Sequence, residues 1–187
     1  MNKSELRKWY LTKQKSMGAD ERLSRSRAIA DLFFSSFDLT HVTYLHCFIP
    51  IAKFNEVDTQ PIFERLWREH SNVQTVVPRV DFQTMEIINL TFGPETELAR
   101  NAWDIEEPTH EEMVETKKLD MVLVPGLCFD RLGYRVGYGK GFYDRLLKRC
   151  RYDCVRVGLS YFEPVERIDD VHDADVRLDA IVKPTMM

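Results

Sequence analysis

Residues 121–126 read Met-Val-Leu-Val-Pro-Gly, and this short run sets the class of fold. Met121 to Val124 shows no polar alternation, the mark of a strand covered by helices on both faces, so it predicts a central strand of a parallel sheet. On either side the chain alternates short apolar runs with longer amphipathic stretches. Val42 to Pro50 (VTYLHCFIP) reads as a first buried strand. Val73 to Val80 and Met85 to Phe92 read as the next two, paired as an edge hairpin around Asp81 to Thr84, and Val155 to Leu159 and Ala180 to Val182 as the last. Helices are expected from Lys3 to about Ser16 and from Asp20 to about Phe37, the second with Leu23, Ile29, Leu32, Phe33 and Phe37 as its apolar stripe. Another follows Asp58 or Thr59 as cap, with Pro61 in its first turn and Ile62, Leu66 and Trp67 facing inward, and a last one runs from Phe142 to about Cys150. Gly93 to Pro108 reads as loop. Thr109 with Glu112 matches a capping box and predicts a short helix to about Lys118. The pattern implies an α/β fold, a three-layer sandwich with a mostly parallel central sheet and helices on both faces. With no internal repeat and no linker, the 187 residues are expected to form a single domain, 1–187.

Composition narrows the function. The 26 Lys and Arg against 30 Asp and Glu leave a net charge of −4. Such a chain has no global basic field with which to neutralise the phosphates of a nucleic acid. Cys47, Cys128, Cys150 and Cys154 form no CxxC pair and are too scattered for a disulfide framework, so they read as free thiols. The charged N-terminus lacks the apolar core of a signal peptide, and no stretch is long and apolar enough to span a bilayer. The expectation is a cytoplasmic monomer that acts on small molecules, without nucleic acid or membrane as partner.

The chemistry is concentrated between Pro125 and Asp144, which holds five of the eight glycines. Arg135-Val136-Gly137-Tyr138-Gly139-Lys140-Gly141-Phe142-Tyr143-Asp144 places three glycines at alternate positions directly before a helix. Glycines there free several amides to converge on one anion, and a helix N-terminus favours negative charge, so the segment predicts a phosphate site with Arg135 and Lys140 as fixed cations. It matches neither the Walker A spacing nor the GxGxxG of dinucleotide-binding folds, and a glycine-rich surface turn is the bland alternative. Asp144, one turn into the helix, complements the helix dipole or holds a hard cation, and Asp173 of His172-Asp173-Ala174-Asp175 is a candidate second oxygen ligand or simply part of a solvated loop. Lys3 and Arg7, at i and i+4 on one helix face, suit a polyphosphate as well as they suit solvent. Glu56 follows the first strand, at the end where open α/β sheets bind ligands. His41, His46, His70, His110 and His172 have no metal-ligand spacing, and no GxSxG nucleophile elbow is present.

The run from Val124 to Asp144 closely resembles the signature of the 5-formyltetrahydrofolate cyclo-ligase family. Lys3-x-x-x-Arg7, Glu56-Val-Asp-Thr59, Val77-Pro-Arg79, Trp103 with Glu107-Pro108, and His172-Asp173 followed by Asp179 extend the likeness over nearly the whole chain. The resemblance implies ATP- and magnesium-dependent closure of 5-formyltetrahydrofolate to 5,10-methenyltetrahydrofolate with release of ADP and phosphate, through a phosphorylated formyl group. By motif, it implies ATP contacts from Lys3, Ser4, Glu5, Leu6 and Arg7 and from Arg135, Val136, Gly137, Tyr138, Gly139, Lys140, Gly141, Phe142 and Tyr143. Folate contacts would come from Ile49 or Ile51, Glu56, Trp103, Tyr138, Gly139, Lys140, Gly141 and Phe142, and Mg2+ would be held by Asp144 and Asp173. Lys140, Arg135 and Tyr143 would serve catalysis. Val136 and Phe142 stand where leucine and tyrosine are common in the family, and the second change removes a hydroxyl. Two other readings remain: an inactive nucleotide- or folate-binding module on the same shell, and a sugar-phosphate isomerase-like enzyme, which would turn over without ATP.

Overall fold

The computed structural model describes residues 1–184. Its central sheet has the strand order β10-β9-β6-β1-β2-β3. These strands are β1 (Tyr44–His46), β2 (Gln74–Asp81), β3 (Glu86–Thr91), β6 (Met121–Pro125), β9 (Val155–Leu159) and β10 (Ala180–Val182). All neighbours are parallel except the β2–β3 hairpin. As its lack of polar alternation implies, β6 is central. Leu123 packs into the cluster built with Ile29 and Phe33 of α2 (Ala19–Ser36) and Ile62, Phe63 and Leu66 of α3 (Gln60–Glu69). Its neighbours Val122 and Val124 turn to the opposite cluster, with Leu146 and Leu147 of α4 (Phe142–Arg149). A strand sends successive side chains to opposite faces, so continuous apolarity yields a three-layer sandwich. Each fully buried aliphatic side chain contributes about 1.5–3 kcal/mol against its exposed state.

The helix α1 (Lys3–Lys15) is closed by a capping box: Asn2 accepts from the Glu5 amide and Glu5 accepts from the Asn2 amide. It buries Leu6 against Cys128, Val136 and Ile168, across the short hairpin of β7 (Cys128–Phe129) and β8 (Arg135–Val136). The α2 helix packs through Ile29, Ala30 and Phe33, whereas Leu23, expected in its apolar stripe, is 41% exposed. At α3 the cap is shared. Asp58 accepts the Gln60 amide at 3.0 Å, while the Thr59 hydroxyl turns inward to donate to the Phe48 carbonyl at 2.8 Å.

Three expectations are corrected, and one stretch without an assigned element proves to be structured. The strand from Val42 to Pro50 pairs only over Tyr44–His46. Cys47 still donates to Val76 at 2.8 Å, and the chain then leaves the sheet. Gly93 to Pro108 is not plain loop: β4 (Leu98–Arg100) and β5 (Glu106–Pro108) form a second hairpin. The β4 residues are all exposed, so they carry no alternation to read, and the turn is shaped by Asn101, whose side-chain oxygen accepts the Trp103 and Ile105 amides. The helix expected from Thr109 to Lys118 does not form. The outer edge of β3 claims its backbone: Thr91 donates to Glu112 and Val114 to Asn89, leaving only a 3-10 turn at Thr116–Lys118. Finally, the glycine-rich stretch contains the β7–β8 hairpin. The buried Asp130 carboxylate ties it by accepting amides of Leu132, Tyr134 and Ile168.

Candidate active site

In an open α/β sheet, ligands bind beyond the carboxyl ends of neighbouring strands whose chains depart in opposite directions. Here those strands are β1 and β6. After β1 the chain leads through α3 to β2 on one side; after β6 it leads through α4 to β9 on the other. The two loops that follow them therefore face one cleft, and α1 closes its side.

The loop after β1 carries Ile49, Ile51 and Glu56. Ile49 and Ile51 are half-buried, and Glu56 is buried. The left-handed Asn55 (φ 54°) turns Glu56 inward, where its carboxylate accepts the Ile51 amide at 2.6 Å and faces the Tyr138 hydroxyl. Burial raises this carboxyl from 4.5 to about 7, since lost hydration outweighs these two interactions. Phe54 stacks on Tyr138 with centroids 4.5 Å apart, and the buried Gln14 of α1 donates to the Phe54 carbonyl. Burial and the facing Glu56 push the Tyr138 hydroxyl well above its usual range.

The loop after β6 delivers the glycine turn. Gly139 (φ 85°) and Gly141 (φ 69°) lie in the left-handed region, which L side chains rarely adopt, and the Arg7 guanidinium lies against Gly139 where a Cβ would sit. Arg7 Nε donates to the Gly137 carbonyl at 2.8 Å. Two segments of the chain, 130 residues apart, thus meet at one turn. Lys140 is exposed, its ammonium 5.9 Å from the Trp103 ring. Trp103 stands 6.4 Å from Phe142 and 4.5 Å from Phe82, an aromatic wall contributed by the β4–β5 and β2–β3 hairpins.

Other expected site residues are already committed. Arg135 makes a bidentate pair with Asp144 at 3.1 and 2.9 Å, and Asp144 also accepts the Val176 amide. Lys3 is paired with Asp175, and its amide donates to Asp170. Leu6 and Val136 are core, Glu5 serves the cap and Ser4 is exposed. Tyr143 is half-buried, its hydroxyl 3.2 Å from His46 Nε2. The Asp173 side chain is exposed, and its carbonyl accepts from Lys148. Among the described residues no group of three or more His, Cys, Asp or Glu side chains is arranged to hold a metal ion. A cation here would fit only a partial protein set, such as Asp144 with Asp173, completed by substrate oxygens and water, the usual habit of magnesium.

Sequence reasoning missed Gln14, Phe54, Phe82, His46 and Asp175. Phe54 sits two residues before Glu56 and Asp175 two after Asp173, close to flagged motifs. His46 and Gln14 gave no local signal, because long-range packing creates their roles.

The profile of the 5-formyltetrahydrofolate cyclo-ligase family matches residues 1–184. The chain belongs to that family. It is 34% identical over 134 residues to the 5-formyltetrahydrofolate cyclo-ligase of Escherichia coli strain K12, covering 70% of this chain and 72% of the relative. It is 28% identical over 179 residues to the mouse cyclo-ligase, covering 90% and 86%. Among solved structures, the 5,10-methenyltetrahydrofolate synthetase of Aquifex aeolicus superposes with a TM-score of 0.83 at 33% identity, over 100% of this chain and 91% of that one. The synthetase of Mycoplasma pneumoniae gives 0.77 at 26% identity, over 97% and 98%. The cyclo-ligase fold expected from the signature is thus the fold observed, and the chain is an enzyme of this family.

Proposed function

We propose that the chain closes 5-formyltetrahydrofolate to 5,10-methenyltetrahydrofolate while converting ATP to ADP and phosphate. The observation that carries this reading is the junction of Arg7 with the glycine turn at Gly137–Gly141, beside the Glu56–Tyr138 pocket. One half of the cleft suits a polyphosphate and the other a polar aromatic ring. The formyl oxygen attacks the γ-phosphorus and ADP leaves. N10 then attacks the activated formyl carbon, and the carbon–oxygen bond breaks to release phosphate, a better leaving group than hydroxide.

Phosphoryl transfer asks mainly for positioning and for charge around the moving oxygens. Lys140 and Arg7 supply cations, and the amides of Gly139 to Gly141 supply donors. Lys3 and Arg135 join them by exchanging Asp175 and Asp144 for phosphate oxygens. Glu56, with its carboxyl near 7, accepts a ring N–H when ionised and donates when protonated. Ile49, Ile51, Phe142 and Trp103 offer apolar surface to the folate. Asp144 and Asp173 would hold Mg2+, which when bound supplies charge neutralisation at the phosphates. Tyr143 orients the bound groups from the first turn of α4. We place the enzyme in the cytoplasm as a monomeric single domain; no helix among the described residues is long and apolar enough to cross a membrane.

Purified protein given 5-formyltetrahydrofolate, ATP and magnesium should produce the methenyl absorbance. Absence of any ATP-dependent product would overturn the proposal, and turnover of a sugar phosphate without ATP would replace it with the isomerase reading.

A further inference from the structure

Beneath the cleft, a chain of buried polar groups crosses the sheet. His46 of β1 is fully buried; its Nδ1 lies 2.9 Å from Asn89 Oδ1 and its Nε2 3.2 Å from the Tyr143 hydroxyl. The Asn89 amide nitrogen in turn donates to Thr116 at 3.0 Å. With Oδ1 facing the ring, Nδ1 carries the proton and Nε2 offers its lone pair, so the phenol donates to the imidazole. The His46 and Tyr143 rings meet edge-on, at 83° and 5.7 Å. An apolar side chain at this position alone would leave the buried Asn89 oxygen and the Tyr143 hydroxyl without partners, at a cost of about 1–3 kcal/mol, although the net gain from each satisfied bond is small. A polar chain satisfied at every link instead specifies one geometry.

What that geometry holds is the start of α4. The helix has eight residues, and its N-cap, Gly141, has no side chain to bond the first-turn amides. Its first turn is therefore located by side-chain anchors: Arg135 and the Val176 amide on Asp144, Arg145 on the Lys140 carbonyl and on the Met85 carbonyl in the β2–β3 turn, and His46 on Tyr143. Of these, only His46 stands within a strand of the central sheet, beneath the cleft.

We propose that His46 is a positioning residue, which by receiving the Tyr143 hydroxyl from below fixes the first turn of α4, and with it Tyr143 and the Asp144–Arg135 pair, for the reaction in the cleft. The inference rests on the cyclo-ligase reading of that cleft. The imidazole stays neutral at working pH, because burial lowers it to about 4, so its part is orientation and not proton transfer.

The test is a kinetic double-mutant cycle with His46→Leu and Tyr143→Phe, accompanied by His46→Gln, whose amide keeps an acceptor and a donor. Each single substitution should lower kcat by about tenfold, and the double variant should fall no further than the worse single one, because both remove the same contact. His46→Gln should recover most of the loss. A double variant carrying the product of the two losses, roughly a hundredfold, would overturn the proposal, as would single variants within about twofold of the parent. A contact that only stabilised the fold would couple the two sites in unfolding free energy while leaving kcat per folded molecule within about twofold of the parent. In the folded parent labelled with 15N-histidine, the His46 Nε2 resonance should move on Tyr143→Phe; an unmoved resonance also overturns the proposal. If the parent makes no methenyl product, the cyclo-ligase reading fails by itself. The positioning role is then read from ATP affinity across the same four proteins, where additive losses reject it.

Discussion

Replacing Glu56 with glutamine removes an ionisation that the fold resists. The carboxyl is 7% exposed and sits against the Ile51 amide and the Tyr138 hydroxyl, with its acid constant raised from 4.5 to about 7 by burial. Between those values the folded chain keeps a proton that the unfolded chain releases. Stability therefore falls as pH rises through the window and levels off above it. At roughly 1.4 kcal/mol for each tenfold change in the constant, the difference between pH 4.5 and pH 8 is about 3 kcal/mol. Glutamine has nothing to ionise, yet its carbonyl still accepts from Ile51. His46 works in the opposite sense: burial lowers it from 6.5 to about 4, so its contribution is lost as pH falls through that range. In the parent the two slopes oppose each other from pH 4.5 to 6.5, and Glu56→Gln leaves the His46 slope alone. Urea unfolding of both proteins from pH 4.5 to 8 reads the difference directly. Parallel curves would refute the assignment of a buried, reluctantly ionised carboxylate.

Glu56→Gln should also weaken binding of the folate more than that of ATP, read by calorimetric titration of each; equal losses would remove Glu56 from the folate half of the cleft. Lys140→Ala should lower kcat by about a hundredfold, as for loss of one charge-stabilising donor, while leaving the urea midpoint unchanged. Near-normal kinetics would place Lys140 outside the site. Gly158→Ala would bring a Cβ to 2.5 Å from the ring of the buried Phe129, which is also pressed against Gly126, and should cost about 1–3 kcal/mol in denaturant unfolding. An unchanged midpoint would mean that the ring has room to move.

The central layer was legible because burial on both faces leaves a composition that periodicity detects, as in Met121 to Val124. The hairpin of Leu98–Arg100 with Glu106–Pro108 was not, since it is held by backbone pairing and the Asn101 turn and not by apolar packing. The capping-box match at Thr109 failed for a related reason: a local signal worth about 1 kcal/mol lost to the unpaired edge of β3, whose demand is not written near Thr109. At the site, the glycine turn and Lys140 were readable because φ > 0 and fixed charge are local requirements. The partners of Lys3 and Arg135 were not. Asp175 and Asp144 differ from neighbouring acids only in where the fold brings them.

Those partners bear on how the cleft receives a triphosphate. Lys3 and Arg135 are held by carboxylates, with the Arg135 side chain only 7% exposed, so the positive charge facing the cleft rests mainly on Arg7 and Lys140. Leaving these cations bare would be costly, because buried charge without a partner is strongly destabilising. An incoming phosphate can take over one anion's place, so the exchange conserves charge-assisted hydrogen bonds and need not expose either cation. It does free Asp144 and Asp175 beside the new anion, and like charges at that distance repel. On the proposed reaction a cation between carboxylate and phosphate would answer that repulsion for reasons of charge alone, and Asp144, if Arg135 turned to the phosphate, would keep the Val176 amide and be the carboxylate to meet it.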